Sequence, residues 1–205
     1  MRLFRKRCTM EKKYVLTEES RIINSWYGRE ITLRKIVAIK DFDVSCLQSL
    51  RIFVGDQSHI ERKIVIKHIK AGDSGGWIES ESNLSQEGNA WVDKGAVVFD
   101  KSVVKDDSWV GGEKTAIAGR VIVCDESIVF SDDRDRIRTN RTEVVGNIII
   151  RGYSKITSSL SGEGIVKNKL INKPTKIIPM RNPSEIKVKF ECSVGNKRIA
   201  REFTF

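Results

Sequence analysis

Between about residues 86 and 129, apolar side chains recur at a spacing of six. Val92, Val98, Val104 and Val110 form one aliphatic column, and after a one-residue slip around Gly111 to Lys114 the column continues through Ile117, Val123 and Val129. Two places before each member of this column stands a small or short residue: Ala90, Ala96, Ser102, Ser108, Thr115, Val121 and Ser127. An antiparallel sheet alternates with a period of two and has no use for a small column at every sixth place. A coil of three short strands does. The aliphatic residue fills a triangular prism, the small one lets the chain turn, and coils of about 18 residues stack at about 4.8 Å. The pattern therefore predicts a parallel β-helix. It breaks at the charged stretch Ser131 to Thr142, which reads as a projecting loop, and resumes with Val144, Ile150 and Ile156. Roughly four coils are expected, with ends that need caps.

Outside the repeat the pattern is still β-like. Tyr14-Val15-Leu16 reads as a strand, Ile31, Leu33 and Ile39 as a second region entered by a turn near Tyr27-Gly28, and Lys63 to Ile69 alternates again. All three prolines (Pro174, Pro179 and Pro183) fall in one short stretch, so 172–184 reads as a linker, since proline interrupts sheet ladders. Beyond it, Ile186, Val188, Phe190, Cys192 and Val194 alternate up to a Gly195-Asn196 turn, which predicts a hairpin. No helical apolar stripe of useful length occurs, so the chain is expected to be all β. The expected organisation is a β-rich cap over 1–79, the β-helix over 80–171, and a linker with hairpin over 172–205.

Charge changes the picture only in its distribution. The net +10 divides into +8 over 1–70, −6 over 71–130 and +8 over 131–205. The basic flanks could meet nucleic acid, yet they suit docking on the acidic body better, and their aromatics are not interleaved as stacking platforms. The basic start, Met1 to Arg7, is followed by no apolar run and reads as an extension ahead of a core beginning near Met10. No run reaches the ~18 apolar residues of a spanning helix. Cys8, Cys46, Cys124 and Cys192 are scattered, with neither zinc spacing nor a disulfide framework, which fits a reducing cytoplasm.

The order Lys13-Tyr14-Val15-Leu16, Ile31 to Ile39, Asp41-Phe42, Ala71-Gly72-Asp73-Ser74-Gly75-Gly76-Trp77-Ile78 and Asn83-Leu84-Ser85-Gln86 resembles the bacterial YdcK-like proteins, a group of left-handed β-helix (hexapeptide-repeat) proteins. The likeness covers roughly 11–42 and 70–130 and makes 43–69 an insertion. It implies a left-handed coil. Of activity it implies only the acyltransferase chemistry of the wider superfamily, by analogy of fold.

Chemistry is sparse. Gly72-Asp73-Ser74-Gly75-Gly76 imitates a serine-protease nucleophile segment, but a triad also needs a base and an orienting carboxylate. The two histidines, His59 and His68, lie in the insertion, and none occurs from 71 to 205. Three-histidine metal chemistry is thereby excluded, and no phosphate-binding glycine loop is present. Asp132, Asp133 and Asp135 make a weak calcium signal among arginines. The reading is a non-catalytic scaffold or interaction module with no cofactor, no metal and no catalytic residue assigned, and an acyltransferase-like enzyme is the alternative. The one interaction face it proposes lies outside the prism. The residue before each buried aliphatic points outward, and Trp91, Val97, Val103, Trp109, Ala116, Ile122 and Ile128 carry no charge there. Trp91, Trp109 and Ile128 should stack one coil apart, and such an apolar ladder must be covered, by the chain's own flanks or by another subunit.

Overall fold

A computed structural model describes residues 11–25, 28–54, 57–131, 142–178, 187–194 and 197–204, with backbone alone for 49–60, 62 and the last two segments. Apart from a 3-10 turn at Glu81–Asn83, every regular element among them is a strand. Two antiparallel hairpins come first: β1 (Tyr14–Asn24) with β2 (Glu30–Ala38), and β3 (Phe42–Val54) with β4 (Gln57–Ile69). The chain then winds into parallel coils.

The first face of the prism stacks β5 (Ser74–Ile78), β7 (Val97–Val98), β10 (Thr115–Gly119), the start of β13 (Thr142–Arg151), the start of β15 (Leu160–Lys167) and β17 (Thr175–Ile177). The second carries Leu84, β8 (Val103–Val104), β11 (Ile122–Val123) and the ends of β13 and β15. The third carries β6 (Trp91–Val92), β9 (Trp109–Gly111), β12 (Ile128–Phe130), β14 (Lys155–Ile156) and β16 (Leu170–Ile171). The expected neighbours are in register: Val98 beside Ile117, Val104 beside Val123, Val110 beside Val129. Every member of the aliphatic column from Val92 to Val129 is fully buried.

There are about five turns, not four. Ile78 already stacks on Val98, and at the other end Leu160, Val166 and Ile171 make a further coil. The step into it, Ile156 to Leu160, is four residues and its last step, Val166 to Ile171, is five, so it escapes a six-residue template. β17 then lies inside the stretch read as a linker and continues the first face. The expected loop at 132–141, the Asp132–Asp135 calcium signal and the N-terminal extension lie outside the described residues.

The small column works as the corner argument requires. Ala90, Ala96, Ser102, Ser108 and Ser127 have no exposed surface. The hydroxyls are not wasted. Ser108 donates to Lys105 O (2.7 Å) within its own coil and to Val123 O (3.1 Å) in the next, and Ser154 does the same with Arg151 O and Val166 O. A buried hydroxyl with a partner costs little, whereas one without is expensive.

A second column turns the corners. Asp100, Asp106, Asp125 and Asn168 all have left-handed backbones (φ 59°, 61°, 57° and 52°), which short polar side chains tolerate best after glycine. Each side chain then accepts an N–H from a neighbouring coil: Asp100 from Gly119 (3.1 Å), Asp106 from Asp125 (3.2 Å), Asp125 from Gly152 (2.8 Å), Asn168 from Tyr153 (3.0 Å). Where the coils approach closest only glycine fits. A Cβ on Gly162 (φ +115°) would lie 1.8 Å from Ile177 O.

Both ends of the first face are closed by antiparallel strands, which removes the bare edges of a parallel ladder. β2 pairs with β5 at the start, and β18 (Lys187–Val194) with β19 (Lys197–Thr204) forms the C-terminal hairpin on β17. At the first end Tyr14 is buried and its hydroxyl donates to Leu84 O (2.6 Å). Beside it Lys13 is wholly buried, with Nζ donating to Gly88 O (3.1 Å) and lying 5.7 Å from the Phe42 ring centre.

Burial pulls the Lys13 ammonium down to about 8, with Lys40 acting in the same direction and Asp107 against it. Its unfolded value is 10.5. Below pH 8 the charge is present in both states and its burial opposes folding. Between about 8 and 10.5 the unfolded chain holds the proton more tightly, so Lys13 makes stability rise with pH there, by about 3 kcal/mol in all. Urea unfolding across pH 7 to 10 should show this rise in wild type relative to Lys13→Met. Parallel profiles for the two proteins would contradict the burial of that charge.

Candidate functional site

Hairpin β3–β4 occupies the segment read as an insertion, and it does two things. Its inner side lies on the third face of the prism. Trp91, Trp109 and Ile128 stack in register across β6, β9 and β12, and they are 0, 3 and 2% exposed. Phe42 meets Trp91 edge-on with ring centres 5.4 Å apart, and Val44, Cys46 and Leu47 of β3 join the same buried cluster. The ladder is thus covered from within the chain. The three residues proposed as an interaction face are core, because an apolar strip of that size draws the nearest apolar strand over it.

Gly111 makes this packing possible. A Cβ there would sit 2.1 Å from the Trp109 ring, so the glycine at the one-residue slip is also the floor under the indole. Trp109 in turn stacks on Phe130 (5.6 Å). Lys67 of β4 pins the hairpin to the coil through Asp93 (2.5 Å). A cavity of about 530 Å³ remains there, lined by Cys46, Leu47, Lys67, Trp109 and Phe130. Burial raises the Cys46 thiol, with Lys67 acting against it and Asp93 with it, so Cys46 is held as an unreactive thiol.

The outer side of the hairpin brings a histidine and a carboxylate together. Strand register sets Asp43 directly opposite His68, and His68 Nδ1 contacts Asp43 Oδ1. Both side chains are open to solvent, 73 and 59% exposed. Ile66 and Ile64 follow at alternate places on β4 and are themselves exposed. The result is a histidine oriented by a carboxylate through one ring nitrogen, beside a small bare aliphatic patch. His59 lies opposite Ile52 in the same hairpin.

The protease-like segment does not take part. Ser74 opens β5 opposite Val37, and no hydrogen bond joins it to His68 among the described residues. Gly75 and Gly76 are explained by packing. A Cβ on Gly76 would lie 2.5 Å from Asp93 O, and one on Gly75 would lie 2.6 Å from both Ile36 and Trp91. These glycines let the first coil close on the second.

Two other groupings have structural explanations. Asp106, Cys124 and Asp125 gather at one corner. Both carboxylates already accept backbone N–H groups from the next coil, and the Gly152 N–H is the main cause that holds Asp125 below the usual carboxylate range. A larger cavity of about 620 Å³ lies between hairpin β1–β2 and the first face, lined by Arg21, Ile23, Phe99, Thr115 and Ala116. Among the described residues no histidine lines either cavity. Arg21 lies 4.6 Å from the Trp77 ring centre, and Arg29 bridges Glu79 (3.0 Å) and Asp100 (2.5 Å), which ties this hairpin to two coils.

No helix among the described residues is long and apolar enough to cross a membrane. No family model matches the chain. Over 105 residues it is 30% identical to a protein of Escherichia coli (strain K12) named "Uncharacterized acetyltransferase YdcK", a match that covers 49% of this chain and 25% of that protein. The chain therefore matches about a quarter of the length of this curated relative.

Proposed function

We propose that this chain is an acyltransferase-like β-helix protein, which moves an acyl group from a thioester donor such as a CoA ester to an amine or hydroxyl. The observation that carries the reading is the His68–Asp43 pair beside the exposed Ile64 and Ile66. The distant relative named as an acetyltransferase supports it over the non-catalytic scaffold.

In this reading Asp43 holds the ring through Nδ1 and leaves Nε2 free to accept a proton. The acceptor's nitrogen or oxygen attacks the thioester carbon while its proton passes to Nε2. Collapse of the tetrahedral adduct breaks the carbon–sulfur bond, and the departing thiolate takes that proton from the imidazolium. Ile64 and Ile66 offer an apolar wall for the donor or for a facing surface that excludes water.

The test is thiol release from acetyl-CoA in the presence of a panel of amine and hydroxyl acceptors. Wild type should release thiol, and His68→Ala should slow it by about 10²-fold or more with unchanged circular dichroism, as for loss of a general base. Asp43→Asn should slow it less. If wild type neither releases thiol nor binds acetyl-CoA by calorimetry, the scaffold reading stands. That reading has its own support in coils without a histidine.

A further inference from the structure

The outward sides of the three prism faces differ. On the third face, hairpin β3–β4 covers the Trp91–Trp109–Ile128 ladder. On the first, Ile31 and Leu33 of β2 pack with Phe99 and Ala118, with Trp77 and Val97 against them. The second face has an outward ladder too. Val103, Ile122, Ile149 and Ile165 are consecutive neighbours in the parallel register of β8, β11, β13 and β15. All four are partly exposed, Ile165 at 48%. Among the described residues these strands pair only with other coils.

The residues two places before and after each member stand at the margins of the ladder, where the chain enters and leaves this face, and all but the buried Cys124 reach solvent. Before it stand Lys101, Arg120, Asn147 and Glu163, and after it stand Lys105, Cys124, Arg151 and Lys167. Five of these eight are cationic and one is anionic. Asp106 and Asp125 pair at the corner with Lys105 (3.5 Å) and Arg151 (3.4 Å), so Lys101, Arg120 and Lys167, all exposed, carry most of the field.

We propose that this second face is a docking surface for an acidic amphipathic helix of a protein partner. The ladder supplies a narrow apolar strip and the cations flank it on both sides. A helix with an apolar stripe and acidic margins is complementary in both respects. The spacing agrees as well. Three coil steps of about 4.8 Å span about 14 Å, which is close to three turns of a helix with a pitch of about 5.4 Å. A second copy of this face would set like charges against each other, which costs affinity. Nucleic acid would find no aromatic platform on the face. A bilayer would meet a flat sheet whose aliphatics sit between longer lysines, without the protruding apolar face of an interfacial helix.

The probe is a fluorescein-labelled peptide of about four helical turns, with Leu along one stripe and Glu on both margins, and its twin with Lys for Glu. Anisotropy titrations should show binding of the Glu peptide that weakens with added salt. It should weaken about tenfold or more in the Arg120→Glu/Lys167→Glu double variant and in Ile149→Gln, both checked for unchanged circular dichroism. The proposal is overturned if the Glu peptide does not bind, if the Lys twin binds as well, or if binding survives both variants. It is also overturned if phosphatidylglycerol vesicles bind the protein through this face and the Glu peptide fails to displace them.

Discussion

Val104→Asp is expected to cost on the order of 5 kcal/mol and to leave the protein largely unfolded at room temperature. Val104 is fully buried between Leu84 and Val123, at the centre of the prism. Its neighbours there are aliphatic, so a carboxylate would meet neither water nor a cation. The control is one residue away. Val103→Asp, on the same strand but pointing outward, should change stability by about 1 kcal/mol or less, as exposed substitutions usually do. Urea midpoints followed by tryptophan fluorescence would show the contrast. Similar losses at both positions would mean that the strand does not present one side chain to a prism and the next to the exterior.

The second large effect is expected at Trp109→Glu. Trp109 lies between Trp91 and Ile128 in the ladder, stacks on Phe130 and is roofed by β3. Removing a buried indole costs about 3–5 kcal/mol, and the buried carboxylate adds to that. Because the roof is part of the same chain, the substitution should lower the melting temperature sharply without changing the molar mass seen by light scattering under native conditions. Release of folded subunits from a larger assembly, at unchanged stability, would instead show that another copy covers the ladder.

Much of this architecture is legible in the residues. The six-residue aliphatic column and the small column before it place Val92 to Val129 correctly, because only stacked coils need both at once. The outward Trp91–Trp109–Ile128 stack follows from the same register. A third column was equally visible. Asp100, Asp106, Gly112, Gly119, Asp125, Gly146, Gly152, Gly162 and Asn168 stand two places after the aliphatic residues, where the corner demands a left-handed backbone. It also marks the turn that a six-residue template undercounts, since Gly162 and Asn168 stand at the next two corners, where the aliphatic spacing shortens to four and then five.

The hairpin over the ladder was not legible. Alternation in Lys63 to Ile69 reveals a strand, but not which face of the helix it packs on, because that depends on Phe42 meeting Trp91 and Lys67 reaching Asp93. The candidate site fails to show for a related reason. Asp43 and His68 are 25 residues apart and meet only through the register of a long hairpin. A local motif search instead finds Gly72 to Gly76, whose glycines serve packing.

The most direct test of the parallel coils is the pattern of interstrand nuclear Overhauser effects in isotope-labelled protein. Parallel coils predict backbone contacts from Ile117 to both Val98 and Val144, and from Val129 to both Val110 and Ile156. Close Hα–Hα contacts between neighbouring strands of the repeat, the mark of antiparallel pairing, would contradict the fold and with it every placement of a side chain inside or outside the prism.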